Sequence, residues 1–406
     1  MSFGVYFHIP YCIQRCTYCD FATYEQTQLL PPDSYTQLVM KELFLKKKIF
    51  LGNSSSKKVD TIYFGGGTPS LFSIENIVLL LDTLSREGFL YGPETEMTME
   101  INPGTVDEEK LNAYLKLGFN RFSIGAQTFN SAHLKRVHRE HSMEQTLETL
   151  ALFRKYNLNF NFDLLFGLPH QTLEELIYDV NQAVSLGSTH ISPYYLTVPE
   201  GHPLSKNRPP EEDQIQMFEI IERELSLSGF HRYEISNYSK PGFESKHNHL
   251  YWTDQEYAGF GLSSHSYVKR IATDATTEPL NQSNKMLWGS RFWNPNNIKI
   301  YTQEIQAQTQ NPEFQFVYPW QLEPKYYEIL EENQSLTDFC HIFLRLAQGV
   351  DLDQLRNKFS ESSFCLATTQ LEKLHGEGLL VKTTKGFTLS ARGKMISNFV
   401  FQRLTF

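Results

Sequence analysis

The chain has 406 residues, enough for one large domain of roughly 250–300 residues and a smaller one of about 100. Apolar residues make up 40% and aromatics 14%, which supplies a packed core and excludes global disorder. The net charge of −9 is spread along the chain, which argues against a protein that coats nucleic acid, because phosphate binding needs a positive face.

No apolar run reaches 18 residues, so no membrane-spanning helix is expected. The opening Met1-Ser2-Phe3-Gly4-Val5 shows no basic segment leading into an apolar one, so no signal peptide is expected. Five cysteines, three of them close together, suit ligands in a reducing compartment better than disulfides. The expected location is the cytoplasm. Cys340 and Cys365 stand apart and are expected to be buried thiols.

In chain order, short β-rich runs occur at Gly4–Ile9, Val59–Phe64, Glu96–Ile101, Arg121–Ile124, Phe160–Phe166 and His190–Leu196. Between them lie helical spacings such as Ile74, Ile77, Val78 and Leu81, or Leu147, Leu150, Leu152 and Phe153. Strands alternating with helices imply βα units and a parallel sheet, and six units suit a partial barrel. Ser54–Lys58 reads as a solvated loop. Residues 199–330 are less regular and rich in Pro, Asn, Tyr and Trp. Helical patterns at about 336–348, 351–359 and 363–376 precede Leu379–Thr383, a turn, Phe387–Ser390 and a last helix from Ala391. That order is winged-helix-like. The expected division is 1–200, 201–330 and 331–406.

Chemistry-bearing residues follow the strands. Cysteines follow the first, Gly65-Gly66-Gly67-Thr68-Pro69 the second, and Glu100 with Asn102-Pro103 marks the third. Gly125-Ala126-Gln127 comes with the fourth, and Asp163 with Gly167-Leu168-Pro169 with the fifth. In parallel βα folds the carboxyl ends of the strands share the ligand-binding face, so these motifs should converge.

Cys12, Cys16 and Cys19 have the spacing C-x3-C-x2-C, with Tyr18 before the last. Three thiolates on a four-iron cluster leave one iron open to a small molecule. A zinc site is the alternative, with His8 as the only nearby fourth ligand. On these residues the chain resembles the radical S-adenosylmethionine (SAM) superfamily. The resemblance implies an α/β partial (β/α)6 barrel over roughly residues 4–200, and a 4Fe-4S cluster whose open iron takes the amine and carboxylate of SAM. It further implies electron transfer into the sulfonium with release of a deoxyadenosyl radical. Tyr6, Tyr18, Gly66, Gly67, Thr68, Glu100, Gln127, Arg139 and Asp163 match cofactor-contacting positions of the superfamily's coproporphyrinogen oxidase branch.

Tyr6–Cys12, Met99–Val106 and Asn161–Pro169 resemble two sister groups within that branch. One is the oxygen-independent coproporphyrinogen III oxidase, which decarboxylates its substrate to protoporphyrinogen IX. The other is the HemW haem chaperone group. The oxidase has a further cysteine two residues after the third and a longer N-terminal extension. Here that position is Phe21, and Cys12 comes early. His247-Asn248-His249-Leu250-Tyr251-Trp252 reads H-N-x-x-Y-W, the haem-binding signature of the chaperones. Imidazole ligates haem iron and aromatic rings pack on porphyrin, so the resemblance implies haem at His247, with His249 the competing ligand.

The expected function is therefore a haem chaperone carrying cluster, SAM and haem, with no catalytic residue assigned and the oxidase as alternative. The expected partners are haem-accepting proteins of the respiratory-chain kind, met at the membrane face without an anchor. A radical enzyme acting on nucleic acid through the C-terminal segment is a third reading, opposed by the acidic chain.

Overall fold

The computed structural model describes residues 2–269, 288–309 and 326–406. Part of the expected 201–330 unit, residues 270–287 and 310–325, lies outside them. Six strands carry the alternation: β1 (Phe3–Ile9), β2 (Thr61–Gly66), β3 (Glu96–Ile101), β4 (Arg121–Gln127), β5 (Phe160–Phe166) and β6 (His190–Tyr195). All six run parallel in the order β6-β5-β4-β3-β2-β1. This is the expected α/β sheet of a partial barrel.

The sheet continues on both sides. Beyond β6 lie β7 (His231–Glu234) and β8 (Asn237–Ser239), both antiparallel. Beyond β1 comes β9 (Glu256–Phe260), a seventh parallel strand, then antiparallel β10 (His265–Val268), β11 (Ser290–Trp293) and β12 (Tyr327–Ile329). Sequence alternation over five residues was too short to flag β9. The 199–330 stretch also holds a 17-residue helix, Glu211–Leu227. Its acidic first turn and its buried Met217, Ile220, Ile221 and Leu225 form an ordinary amphipathic pattern hidden among turn residues.

Each strand buries one face against helices. Along β1, Val5, Phe7 and Ile9 join the main core, which also takes Tyr35, Leu38, Val39 and Leu43 from α1 (Pro32–Leu51). Tyr6 and His8 project from the other face, where a methyl group added at Gly65 would meet Tyr63, Tyr6 and Glu100 within 3.0 Å. Crossover helices start sharply. Ser142 with Gln145 and Thr172 with Glu175 form reciprocal capping boxes at Met143–Lys155 and Leu173–Ser185. Lys57, expected in a solvated loop, instead pairs with Glu256 at 2.7 Å and lies over the Phe3 ring.

The C-terminal residues form a second core. Helices Glu332–Arg345, Leu352–Lys358 and Glu361–Gly376 pack on a three-stranded sheet containing the hairpin Leu380–Lys382 and Gly386–Leu389, the expected winged-helix-like order. Cys340 is buried in that core, but Cys365 is exposed, one turn from Glu361, and so is not the buried thiol expected. Among the described residues no helix is long and apolar enough to cross a membrane.

Candidate functional site

The cysteine loop leaves β1 and is tied to the turn after β2. Gly67 N–H donates to the Ile9 carbonyl at 2.8 Å, and Thr68 N–H to the Tyr11 carbonyl at 2.7 Å. A Cβ at Gly67 would sit 2.6 Å from the Tyr11 carbonyl oxygen and 3.0 Å from the Cys12 sulfur, so only glycine lets the two loops touch. Gly66 has φ +119°, a left-handed value suited to glycine. The glycines are here for close approach.

Each thiol has a polar neighbour. The Thr68 hydroxyl lies 3.9 Å from the Cys12 sulfur, the Thr23 hydroxyl 3.6 Å from Cys19, and Arg139 Nη1 3.5 Å from Cys16. Cys12 is buried, which pushes its thiol up to about 11; a bound metal cation offsets that cost by stabilising the thiolate. Tyr18 packs against a small apolar cluster with Val137, Leu165 and Leu168, and burial raises its phenol pKa.

Arg139 bridges from Cys16 to Asn102 and the Gly125 carbonyl, both in short contacts. Its Nε is buried with no hydrogen-bond partner in the protein. Gln127 has φ +70° at a register shift between β4 and β5, a strained backbone for a residue with a side chain. A methyl at Gly125 would lie 3.1 Å from Arg139 Nη2 and 3.3 Å from Gln127 Nε2, so both groups converge there.

Two carboxylates complete this face. Glu100 accepts from the Tyr63 hydroxyl at 2.8 Å and the Gly66 N–H at 3.0 Å, and burial raises its pKa to about 7. Asp163 accepts from Asn161 at 2.6 Å and Ser123 at 3.4 Å, and burial raises it to about 6. Tyr6 lies 3.0 Å from His8 Nδ1. The cysteines, Gly66, Gly67, Thr68, Glu100, Gln127, Arg139 and Asp163 thus gather at the carboxyl ends of β1–β5. Tyr63, Ser123 and Asn161 were missed, although each lies two residues before Gly65, Gly125 or Asp163 on its own strand and so shares that residue's face.

His247 is elsewhere. It opens the short helix Lys246–Trp252, which folds under the amino ends of the first three strands. Glu96 at the start of β3 accepts the Lys246 and His247 amides at 3.1 and 3.0 Å. A Cβ at Gly4 would lie 2.5 Å from Leu250 and 3.3 Å from His247. The imidazole is 1% exposed, with Thr61 Oγ1 2.7 Å from Nδ1 and Tyr251 Oη 2.8 Å from Nε2. Burial lowers its pKa to about 3. His249 is half-buried against the Tyr233 ring, centroids 5.1 Å apart. The motif's other end behaves differently. Tyr251 and Trp252 help line a cavity of about 540 Å3 that reaches Tyr6, His8 and the Asp20-Phe21-Ala22 segment after Cys19.

These residues fit the cofactors of the resemblance. Three thiols at one loop have hydroxyl and guanidinium neighbours, and the orphaned Arg139 Nε is a donor awaiting an acceptor. Among the described residues no group of three or more His, Cys, Asp or Glu is arranged to hold one metal ion. A four-iron cube places each thiolate on its own iron and does not ask the sulfurs to meet at a point.

Comparison with known proteins agrees. Residues 6–183 match the radical SAM superfamily model, and residues 342–396 match the HemN C-terminal domain model. The heme chaperone HemW of Haemophilus influenzae is 38% identical over 64% of this chain and 69% of its own length. That of Bacillus subtilis is 32% identical over 98% of both chains. The solved coproporphyrinogen III oxidase (HemN) of Escherichia coli superposes over 100% of this chain and 90% of its own, with TM-score 0.78 at 19% identity, a likeness of fold. With its cysteine loop, its parallel sheet and a relative matched over 98% of both chains, the chain belongs to the heme chaperone HemW family of radical SAM proteins.

Proposed function

We propose that this chain binds haem and passes it to acceptor proteins, with a 4Fe-4S cluster on Cys12, Cys16 and Cys19 and SAM beside it. The observation that carries this reading is the similarity to a heme chaperone over 98% of both chains. When bound, the cluster supplies an iron with an open position for the amine and carboxylate of SAM.

The chain's own residues would hold and orient SAM. The amides of Gly66, Gly67 and Thr68 are already donated to Glu100, Ile9 and Tyr11, so the turn offers carbonyl oxygens, which suit an amine. Arg139, with one unpartnered nitrogen, suits the carboxylate. Glu100, Gln127 and Asp163 supply acceptors and a donor for the hydroxyls and adenine edge, with Tyr6 and Tyr18 as flanking rings. Phe21, 68% exposed after the last cysteine, provides no fourth thiol in that loop. Delivery to respiratory-chain acceptors at the cytoplasmic face of a membrane fits a chain without a spanning helix among its described residues.

The test is an anaerobic incubation of cluster-loaded protein with reductant, SAM and coproporphyrinogen III, beside a haem titration. Haem uptake near micromolar affinity, about −8 kcal/mol, with no protoporphyrinogen formed is expected of a donor that must release its cargo. Multiple turnovers to protoporphyrinogen would replace the chaperone reading with the oxidase one.

A further inference from the structure

Haem needs an apolar space for its ring and a ligand for its iron, and the structure separates these from His247. That imidazole lies on the barrel floor, 1% exposed, with both nitrogens engaged by Thr61 and Tyr251. Ligation there would break a hydrogen bond and require the helix Lys246–Trp252, the plug helix of this floor, to lift. His8 borders the cavity but is 5% exposed, and its nitrogens lie 3.0 Å from the Tyr6 hydroxyl and 3.0 Å from the Ala22 carbonyl. His249 does not line the cavity.

His265 differs from all three. It starts β10, lines the cavity and is exposed, and among the described residues neither ring nitrogen makes a hydrogen bond. Its ring stacks on Trp293, centroids 5.6 Å apart at 21°, which fixes its plane without occupying a nitrogen. Around it stand Phe21, Tyr251, Trp252, Tyr257 and Tyr267. Tyr251 and Tyr257 meet edge to face at 4.6 Å, giving a rigid aromatic wall. The volume, about 540 Å3, falls in the range of roughly 300–1,000 Å3 usual for ligand cavities.

The wall's cation is already engaged, and a second lining carboxylate, Asp254, is paired as well. Among the described lining residues the one cation, Arg291, is held by Glu328 at 2.7 Å and Asp338 at 3.1 Å. Asp254 is held by Lys358 at 2.8 Å. An inserted carboxylate would find no free cation there, so the two carboxylates of haem belong at the mouth, in solvent.

We propose that haem sits in this cavity with its ring between the Tyr251–Trp252 end of the plug helix and the cluster loop, and that His265, not His247, ligates its iron. This deepens the haem-chaperone reading and rests on it. An exposed ligand with no internal bond to restore also suits reversible loading, since coordination and release require no rearrangement of the core.

The experiment titrates ferric haem into the full-length, cluster-loaded chain, read by Soret difference absorbance and electron paramagnetic resonance, for wild type, His265→Ala and His247→Ala. Iron and sulfide content and circular dichroism check that each variant is folded. The expected result is a histidine-ligated spectrum in wild type and His247→Ala. His265→Ala should lose affinity by about tenfold or more and lose the ligated spectrum, and added imidazole should restore it. If wild type binds haem and His265→Ala matches it in affinity and spectrum, the assignment of His265 is overturned. The same holds if folded His247→Ala alone loses the ligated spectrum. If wild type takes up no haem, it is the chaperone reading that fails.

Discussion

Glu100 sits beneath the glycine turn with both oxygens engaged, by the Tyr63 hydroxyl and the Gly66 amide, yet its pKa is raised to about 7. Burial is the largest cause; Asp163 adds to it, while the two hydrogen bonds oppose it. A carboxyl raised in the folded state favours folding at low pH, and that contribution is lost as pH rises from the unfolded value near 4.5 through about 7. Relative to Glu100→Gln, the cofactor-free wild type should therefore be less stable at pH 8.5 than at pH 5.5. After discounting for partial exposure the difference is roughly 1–2 kcal/mol. Denaturant melts of both proteins at the two pH values measure it, and a pH-independent gap would show that Glu100 ionises freely. The cysteines give a sharper contrast. Cys16→Ala should purify without stoichiometric iron and acid-labile sulfide, whereas Cys340→Ser should keep both and melt lower, because it puts a hydroxyl in a fully buried apolar core. The cysteine triplet was legible because its spacing is local. His265 was not, since its place on the cavity wall arises only when β9, β10 and the helix Lys246–Trp252 come together.

The turn after β2 shows why some elements announce themselves. Gly67 is required by contact with backbone, the Tyr11 carbonyl 2.6 Å from any added Cβ, and backbone cannot swing aside. Gly67→Ala should cost about 1–3 kcal/mol and loosen the cysteine loop. Gly92→Ala, with nothing within 4 Å of its Cβ, should be neutral or stabilise by about 0.4–1 kcal/mol. Thermal melts together with iron retention separate the two, and equal behaviour would mean that the loops part easily. Strands β1–β6 were readable because short β-rich runs, each followed by a polar or glycine-rich turn and a helical pattern, recur along the first two hundred residues. The convergence of their carboxyl-end motifs followed from topology. The helix Lys246–Trp252 resisted because its seven residues were read as chemistry before structure. Ser245 caps it by accepting from Asn248 N–H at 3.2 Å, and Glu96 receives its first amides, but Glu96 is 150 residues away in sequence. That remote partner puts His247 at the opposite end of the strands from the cysteines.

The two cores meet along one seam, and the cavity opens beside it. Arg345, at the end of the first C-terminal helix, lies 3.4 Å from Glu234 on β7, whose side chain is fully buried. The same guanidinium covers the Trp252 ring at 4.3 Å, and Ala347 N–H donates to the Tyr233 carbonyl at 2.9 Å. One side chain thus joins the C-terminal unit, the sheet edge and the aromatic wall of the cavity. Arg345→Met keeps most of the stem and removes the charge. Glu234 would keep its bonds from Ser236 and Asn237 but lose its cation, a loss worth about 1–3 kcal/mol for a buried carboxylate. Iron and sulfide should be unchanged, because the cysteine loop is tied to β1 and β2 and not to this seam. Haem affinity should fall severalfold, because Trp252 loses the cation that holds its ring and the wall it forms becomes mobile. Melting temperature, cluster content and haem titration on the one variant read all three. If stability drops while haem affinity stays at the wild-type value, the C-terminal unit acts as a packing module only, and the cavity owes its shape to the sheet extension alone.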